Sequence, residues 1–296
     1  DSRESCVNSA SQSDRSSRNG RFLRHQNREL RFTMTPRCVA TLALALAGSV
    51  LGAQPLKSPI APDTLKWPTG TFSILAYDSA NGDLGGAVQS RVFSVGNGVL
   101  WGESGVGIVA TQAIVDVSYG PQALALLRQG LKAEQVVKQV LANDKDPDPV
   151  RWTKDGRQFA VIDANGNVVS HTGPKASTWA GGKYCAAPHK CTAQGNILAG
   201  PGVVDSMVAA FERTPGPLQL RLVAALEGGQ RAGGDTRGQQ SAALLIVNVK
   251  KNCGIWLHND VILRLQVDDN PEPIKELRRL AEHRMAQRRD STCRAK

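Results

Sequence analysis

Residues 70–74 read Gly-Thr-Phe-Ser-Ile, which puts a hydroxyl residue directly after a glycine and at the head of a strand-like run. If the Gly70-Thr71 bond is cut, Thr71 carries its own base. A free α-amino group has a pKa of about 8 and can take the hydroxyl proton, so the threonine works as a nucleophile without a histidine partner. That chemistry suits a chain with four histidines beyond Gln54 and no Ser/His/Asp arrangement. Gly70 also suits a self-inflicted cut, because glycine tolerates the strained backbone from which a hydroxyl reaches the preceding carbonyl. The plainer reading of Pro68-Thr69-Gly70-Thr71 is a turn that enters a strand.

Other catalytic patterns are missing: the sequence has no G-x-S-x-G elbow, no H-E-x-x-H pair and no Walker phosphate loop. The run Gly-Val-Gly-Ile-Val-Ala at 105–110 sits among β-branched residues with no helix opening at its end, so it does not read as a dinucleotide loop. Cys185, His189 and Cys191 offer the ligand types zinc takes, but C-x3-H-x-C has no obvious fourth ligand. A small disulfide loop beside a solvated His189 accounts for them better. The threonine chemistry needs no metal and no organic cofactor.

Around these residues the chain falls into zones. Residues 1–33 are rich in Ser, Arg and Asn, cannot bury a core, and read as an extension upstream of the true start. Met34, Arg37, an apolar run at 38–51 and the small residues Gly52 and Ala53 have the layout of a secretory signal peptide, residues 34–53. The apolar run is too short for the roughly 20 residues of a spanning helix, so the expected product is a secreted or periplasmic protein with no stable membrane span. Residues 54–70 hold four prolines and read as a linker or propeptide.

Setting aside the 8 basic and 4 acidic residues before Gln54 leaves 28 against 22, a net of +6; residues 275–296 supply +5 of it. The globular part is therefore nearly neutral. The basic excess belongs to a C-terminal helix and tail, residues 271–296, and with three tyrosines there is no aromatic interleaving to suggest nucleic-acid binding. Four cysteines follow Gln54, an even number that in an oxidising compartment favours disulfides. Cys185 with Cys191 is the local pair, contributing about 2 to 3 kcal/mol by loop closure. Cys253 and Cys293 are the remaining pair.

The elements that must position Thr71 begin with strands at 71–78, 84–91, 96–101 and 105–113, the first two joined by the hairpin dipeptide Asn81-Gly82. Helices follow at 121–130, opened by Pro121 and closed by Gly130, and at 133–142. Strands resume at 157–163 and 167–171, joined by Asn165-Gly166, with another pair around Lys183 and 192–198. Helices at 203–213 and 218–226 come next, the second ended by Gly228-Gly229, then strands at 241–249 and 261–267 and a helix at 271–287. Asp268 and Asp269 read as the cap of that helix. Hairpins dominate and helices arrive in pairs, which predicts an α+β domain over 71–270, a four-layer αββα sandwich of two antiparallel sheets.

Thr71-Phe72-Ser73-Ile74 with Asp78, GGAVQS at 85–90, GIVATQA at 107–113, Tyr119-Gly120, His171-Thr172-Gly173, Gly195-Asn196, GGDTRGQQS at 233–241 and Val267-Asp268-Asp269 together resemble the domain-of-unknown-function 1028 family. That family is assigned to the N-terminal-nucleophile hydrolase fold. The resemblance implies the same αββα sandwich and puts Thr71 at the nucleophile position. Relatives often begin at this threonine, whereas here about 17 residues separate it from the signal cleavage, so activity implies a second cut.

The expected function is hydrolysis of C-N amide bonds in a small-molecule or peptide-like substrate. Thr111, Gln112, Gln89 and Ser90 lie near strand ends and would supply oxyanion or substrate hydrogen bonds; Asp235 and Arg237, in a Gly-rich loop, would bind substrate charge or simply pair as a turn. His171 reads either as a substrate contact or as a structural histidine. Exposed sheet edges allow a homodimer. The rival reading is an exported ligand-binding module that keeps the scaffold without catalysis.

Overall fold

The computed structural model describes residues 70–254 and 256–286. These residues belong to one compact unit. The expected upstream extension at 1–33, the signal peptide at 34–53, the linker up to residue 69, and Cys293 all lie outside the described residues.

Ten strands are ordered β1 (Thr71–Asp78), β2 (Asp83–Ser90), β3 (Leu100–Glu103), β4 (Gly107–Ala113), β5 (Arg157–Asp163), β6 (Val168–Thr172), β7 (Gly181–Tyr184), β8 (Lys190–Asn196), β9 (Ser241–Asn248) and β10 (Val261–Val267). Among the described residues five helices accompany them: α1 (Tyr119–Arg128), α2 (Ala133–Asn143), α3 (Gly202–Arg213), α4 (Leu218–Arg231) and α5 (Pro273–Ala286). The strands form a six-stranded sheet, β10-β9-β2-β1-β8-β7, and a four-stranded sheet, β3-β4-β5-β6. All the strand pairings are antiparallel.

Side-chain alternation along each strand produces the layers. In β1, Phe72, Ile74 and Ala76 point to one side and pack on α3, α4 and α5 with Met207, Leu222, Leu226 and Leu277. Leu75 points to the other side, where it joins Leu84, Val88, Ile108, Ile162 and Leu245 between the sheets. The outer face of the small sheet, with Val109, Phe159 and Val161, is covered by Tyr119, Leu124, Val136 and Val140 of α1 and α2. Three apolar clusters separate four layers, helices, sheet, sheet, helices. Each buried Leu, Ile or Phe contributes about 1.5 to 3 kcal/mol, so this layering is what holds the fold.

Both expected hairpins form, with Gly82 at φ +73° and Gly166 at φ +76°, but through loops at 79–82 and 164–167 in which the glycine alone, and not its Asn partner, takes positive φ. Elsewhere the structure corrects the sequence reading. Residues 96–101 are not one strand: a short turn at Val95–Asn97 comes first and β3 follows. Gly228-Gly229 does not end α4, which runs on to Arg231. A Cβ on Gly228 would lie 2.6 Å from the Ser206 carbonyl oxygen and 2.7 Å from Ala210 Cβ, so these glycines let α4 cross α3 closely. Asp268 and Asp269 do not cap α5. The Glu272 amide donates to Asn270 Oδ1, and Asp268 instead accepts from Ser94 Oγ at 2.6 Å.

Beneath α1 and α2 lies a buried polar cluster. Arg157 donates from Nε to Asp144 Oδ2 at 3.0 Å, both side chains being 1% exposed, and Tyr119 donates its hydroxyl to the same oxygen. Burial pushes the Tyr119 hydroxyl well above the usual phenol range, helped by the Asp144 charge. Burial also acts to raise Asp144, but its hydrogen bonds from Tyr119, the Asp146 amide and Arg157 outweigh that and hold the carboxyl below its ordinary value.

Cys185 and Cys191 form a disulfide across the β7-β8 turn, with Cα atoms 5.2 Å apart. His189 between them is half-buried, not solvated: its Nδ1 accepts from Arg221 Nη2 at 3.1 Å and its ring meets the edge of Phe211.

Candidate active site

At one end of the large sheet the register aligns Ser241 with Ser90, Ser90 with Thr71, and Thr71 with Asn196. Directly paired residues share a face, so four polar side chains form a row across β9, β2, β1 and β8, facing the small sheet. Each is 3% exposed or less. Two residues further along each strand comes a second row, Ser73 and Gln194, joined by Gln112 and Gln158 from the small sheet. Ser73 Oγ donates to Gln112 Oε1 at 2.6 Å, Gln194 Nε2 donates to Ser73 Oγ at 2.6 Å, and Gln112 Nε2 donates to Gln158 Oε1 at 2.8 Å and to the Thr71 carbonyl at 3.2 Å. Leu75 marks the next step, where the inter-sheet space turns apolar.

Thr71 Oγ1 donates to Ser90 Oγ at 3.0 Å, and Ser90 Oγ donates onward to the carbonyl oxygen of Gly70. Arg237 Nη2 donates to the same carbonyl at 2.6 Å. The guanidinium is held in turn by Asp235, whose Oδ1 and Oδ2 accept from Arg237 Nε at 3.0 Å and Nη2 at 2.7 Å. The Asp235 side chain has no exposure and that of Arg237 is 19% exposed. This pair explains why a glycine stands before Thr71: a Cβ there would lie 2.8 Å from Arg237 Nη2 and 2.8 Å from Asp235 Oδ2. Two donors therefore converge on the one carbonyl that Thr71 could attack, and the attacking hydroxyl is bonded to one of them.

On the other side of Thr71, its amide donates to Asn196 Oδ1 at 2.9 Å. Asn196 Nδ2 is buried and has no hydrogen-bond partner. Among the described residues only two other buried side-chain atoms share that condition, Gln89 Oε1 beside Ser90 and Gln230 Oε1. Buried polar atoms are normally satisfied; of these three only Asn196 Nδ2 lies between the sheets beside Thr71, where it is a donor available to a bound group.

Thr71 and Gln112 open onto a cavity of about 190 Å³ whose other walls include Val92, Phe93, Val95, Val99, Ala113 and Val115. Two of the wall residues hold left-handed backbone without being glycine, Ser94 at φ +53° and Ala113 at φ +68°. Such strain is kept where the surroundings enforce it, commonly at functional sites. Ser94 is held by Asp268, which accepts from both its amide and its hydroxyl, and the Val95 amide is held by Ser241 Oγ at 3.0 Å.

The sequence had proposed eight residues here. Thr71, Ser90 and Gln112 come together between the sheets, and Asp235 with Arg237 reaches them through Gly70. The other three face away. Thr111 and His171 pair across strands with Phe159, so they share its face toward α1 and α2. Gln89 points to the opposite side of the sheet from Ser90, and its Nε2 reaches the Gly238 carbonyl at 3.4 Å. A strand cannot send two consecutive side chains to one site, so Thr111-Gln112 and Gln89-Ser90 could each contribute only one. Burial lowers the His171 pKa, as expected for an imidazole packed on the helix side. Gln158 and Gln194 were not singled out, and Asn196 entered only within the Gly195-Asn196 motif, with no site role. Among the described residues no group of three or more His, Cys, Asp or Glu is placed to hold a metal ion, and no helix is long and apolar enough to cross a membrane.

Residues 71–277 match the model of the family of unknown function DUF1028, the match beginning at Thr71 itself. The chain belongs to this family. A crystal structure of a family member from Silicibacter pomeroyi is 30% identical, covering 75% of this chain and 88% of that one with a TM-score of 0.62. More distant similarities include Anbu, an ancestral beta-subunit, from Yersinia bercovieri, at 12% identity over 73% of this chain and 95% of that one with a TM-score of 0.31. An Anbu mutant from Hyphomicrobium sp. strain MC1 is similar at 12% identity over 74% of this chain and 97% of that one, with a TM-score of 0.33. No curated protein matches the sequence.

Proposed function

We propose that this family member is an exported amide hydrolase that first cuts its own Gly70-Thr71 bond and then uses Thr71 as its nucleophile. The observation that carries the reading is the pair of donors, Ser90 Oγ and Arg237 Nη2, on the Gly70 carbonyl, with Thr71 Oγ1 bonded to Ser90.

In the first reaction Thr71 Oγ1 adds to the Gly70 carbonyl carbon. Its proton passes to Ser90 Oγ, whose own proton moves toward the carbonyl oxygen while Arg237 offsets the developing negative charge. The tetrahedral hydroxyl then returns that proton through Ser90 to the Thr71 nitrogen as the C-N bond breaks, leaving an ester between Gly70 and Thr71 Oγ1. Water hydrolyses that ester to a Gly70 carboxylate and a free Thr71 with a primary amine. In the second reaction the amine takes the hydroxyl proton, Oγ1 attacks the substrate carbonyl, and Asn196 Nδ2 donates to the oxyanion. The amine returns the proton to the leaving nitrogen, and water releases the acyl group by the reverse path. Export is supported by the signal-like residues 34–53 and by the Cys185-Cys191 disulfide, which suits an oxidising compartment.

Thr71→Ala, which lacks the hydroxyl, is expected to stay uncut and to hydrolyse no amide, whereas Thr71→Ser keeps both activities. Amide hydrolysis by Thr71→Ala at the wild-type rate would overturn the reading.

A further inference from the structure

The wall of the cavity beside Thr71 holds no Lys, Arg, Asp, Glu or His. Its polar members are already engaged: Ser94 Oγ donates to Asp268, and Gln112 is bonded at both its oxygen and its nitrogen. A ligand entering here meets Phe93, Val95, Val99, Ala113 and Val115, and finds a reactive polar partner in Thr71. Two large apolar side chains stand exposed around it, Phe93 at 68% and Val117 at 50%, the latter 3.2 Å from where a Cβ of Gly98 would be. The charged pair Asp235 and Arg237 approaches Thr71 by way of Gly70 instead. Thr71 thus stands between an apolar cavity on one side and the buried Asp235-Arg237 pair on the other.

Resting on the hydrolase reading above, we propose that this cavity binds the acyl side of the substrate, and that the substrates are amides of uncharged aliphatic acids with a polar amine. In acyl transfer the amine departs and water takes its place, while the acyl group stays bonded to Oγ1. The half of the substrate that remains belongs in the compartment that offers no exchangeable hydrogen bonds, and the half that leaves belongs beside the charged pair. The reaction is R-CO-NH-R′ + H2O giving R-COOH and R′-NH2 through the Thr71 ester, with no co-reactant.

Two measurements on the full chain test this, one of them independent of catalysis. The cavity is lined with the Gly70-Thr71 bond intact, so alkanamides from acetamide to octanamide can be titrated by calorimetry whether or not the bond has been cut. Affinity is expected to rise about fourfold per added methylene until the cavity is full, the factor that burying one CH2 supplies. Val115→Phe shortens the series by filling the wall. Phe93→Ser, at an exposed position where folding is not at stake, weakens octanamide several-fold more than acetamide. In parallel, kcat/KM is measured on N-acyl-4-nitroanilides of rising acyl length and on acetamides of rising N-alkyl length; the acyl series should climb and the N-alkyl series stay flat. A flat acyl series, a preference for succinyl over butyryl, or a climb in the N-alkyl series overturns the proposal. Thr71-dependent hydrolysis with flat binding defeats this inference alone, whereas a steep binding series in a protein that never hydrolyses an amide defeats the hydrolase reading and leaves the apolar site standing.

Discussion

Ser90→Ala isolates the step in which the chain cuts itself. Ser90 is fully buried, and its Oγ makes two contacts that matter: it accepts from Thr71 Oγ1 at 3.0 Å and donates to the Gly70 carbonyl. Losing two net hydrogen bonds costs about 2 kcal/mol of stability, which a domain with 5 to 15 kcal/mol survives. The kinetic effect is larger. Removing one preorganised donor from a developing oxyanion slows such reactions by about 100- to 1000-fold, and because Arg237 Nη2 remains on the same oxygen the lower figure is expected. Arg237→Ala is a poorer probe, since it leaves the Asp235 carboxylate buried and unpaired at a cost of about 3 to 5 kcal/mol. The assay follows precursor and product by intact mass over time, with thermal unfolding as a check that the variant is folded. Ser90→Cys, with a weaker donor, should fall between the two. A folded Ser90→Ala protein that cuts itself as fast as wild type would refute the relay.

Gly70→Ala pushes a methyl group into Arg237 and Asp235, so it should stop the cut by dislodging the clamp while the unfolding midpoint moves by a few degrees at most; unimpaired cutting measured by N-terminal sequencing would contradict the geometry. Asn196→Ala removes both the Nδ2 donor assigned to the oxyanion and the Oδ1 acceptor that holds the Thr71 nitrogen, so it should reduce kcat of amide hydrolysis by about 100- to 1000-fold or more with little change in KM; a pure KM effect in steady-state kinetics would reassign it to substrate binding. His171 binds protons less readily folded than unfolded, because burial lowers its pKa, so it costs stability as pH falls below the unfolded value of about 6.5, and the cost stops growing below the folded pKa. Denaturant titrations between pH 8 and 5 should show His171→Gln losing less stability than wild type; identical slopes would discount the burial.

Turn dipeptides and paired helices made most of the fold legible in the sequence, with Asn81-Gly82 and Asn165-Gly166 marking two hairpins. Which face each β1 side chain takes was not, because Leu75 stands among apolar neighbours; strand alternation sends it away from Phe72, Ile74 and Ala76. The same rule, applied at Thr111-Gln112 and Gln89-Ser90, would have excluded Thr111 and Gln89 from the inter-sheet site. Gly228-Gly229 misled because a local breaker signal and a close helix crossing use the same residue, and only the position of Ser206 and Ala210 on α3 distinguishes them. Asp268 misled in a similar way: next to a helix it reads as a cap, but its partner Ser94 lies 174 positions away. Asn196 was hidden for a different reason, since its importance comes from a cross-strand register with Thr71 that no spacing encodes.

The most direct test of the account is the intact mass and N-terminal sequence of the wild-type protein after export from a bacterial host. The account predicts a chain that begins at Thr71 and, in Thr71→Ala, one that retains Gly70. A wild-type chain that keeps the Gly70-Thr71 bond and still hydrolyses amides would contradict it.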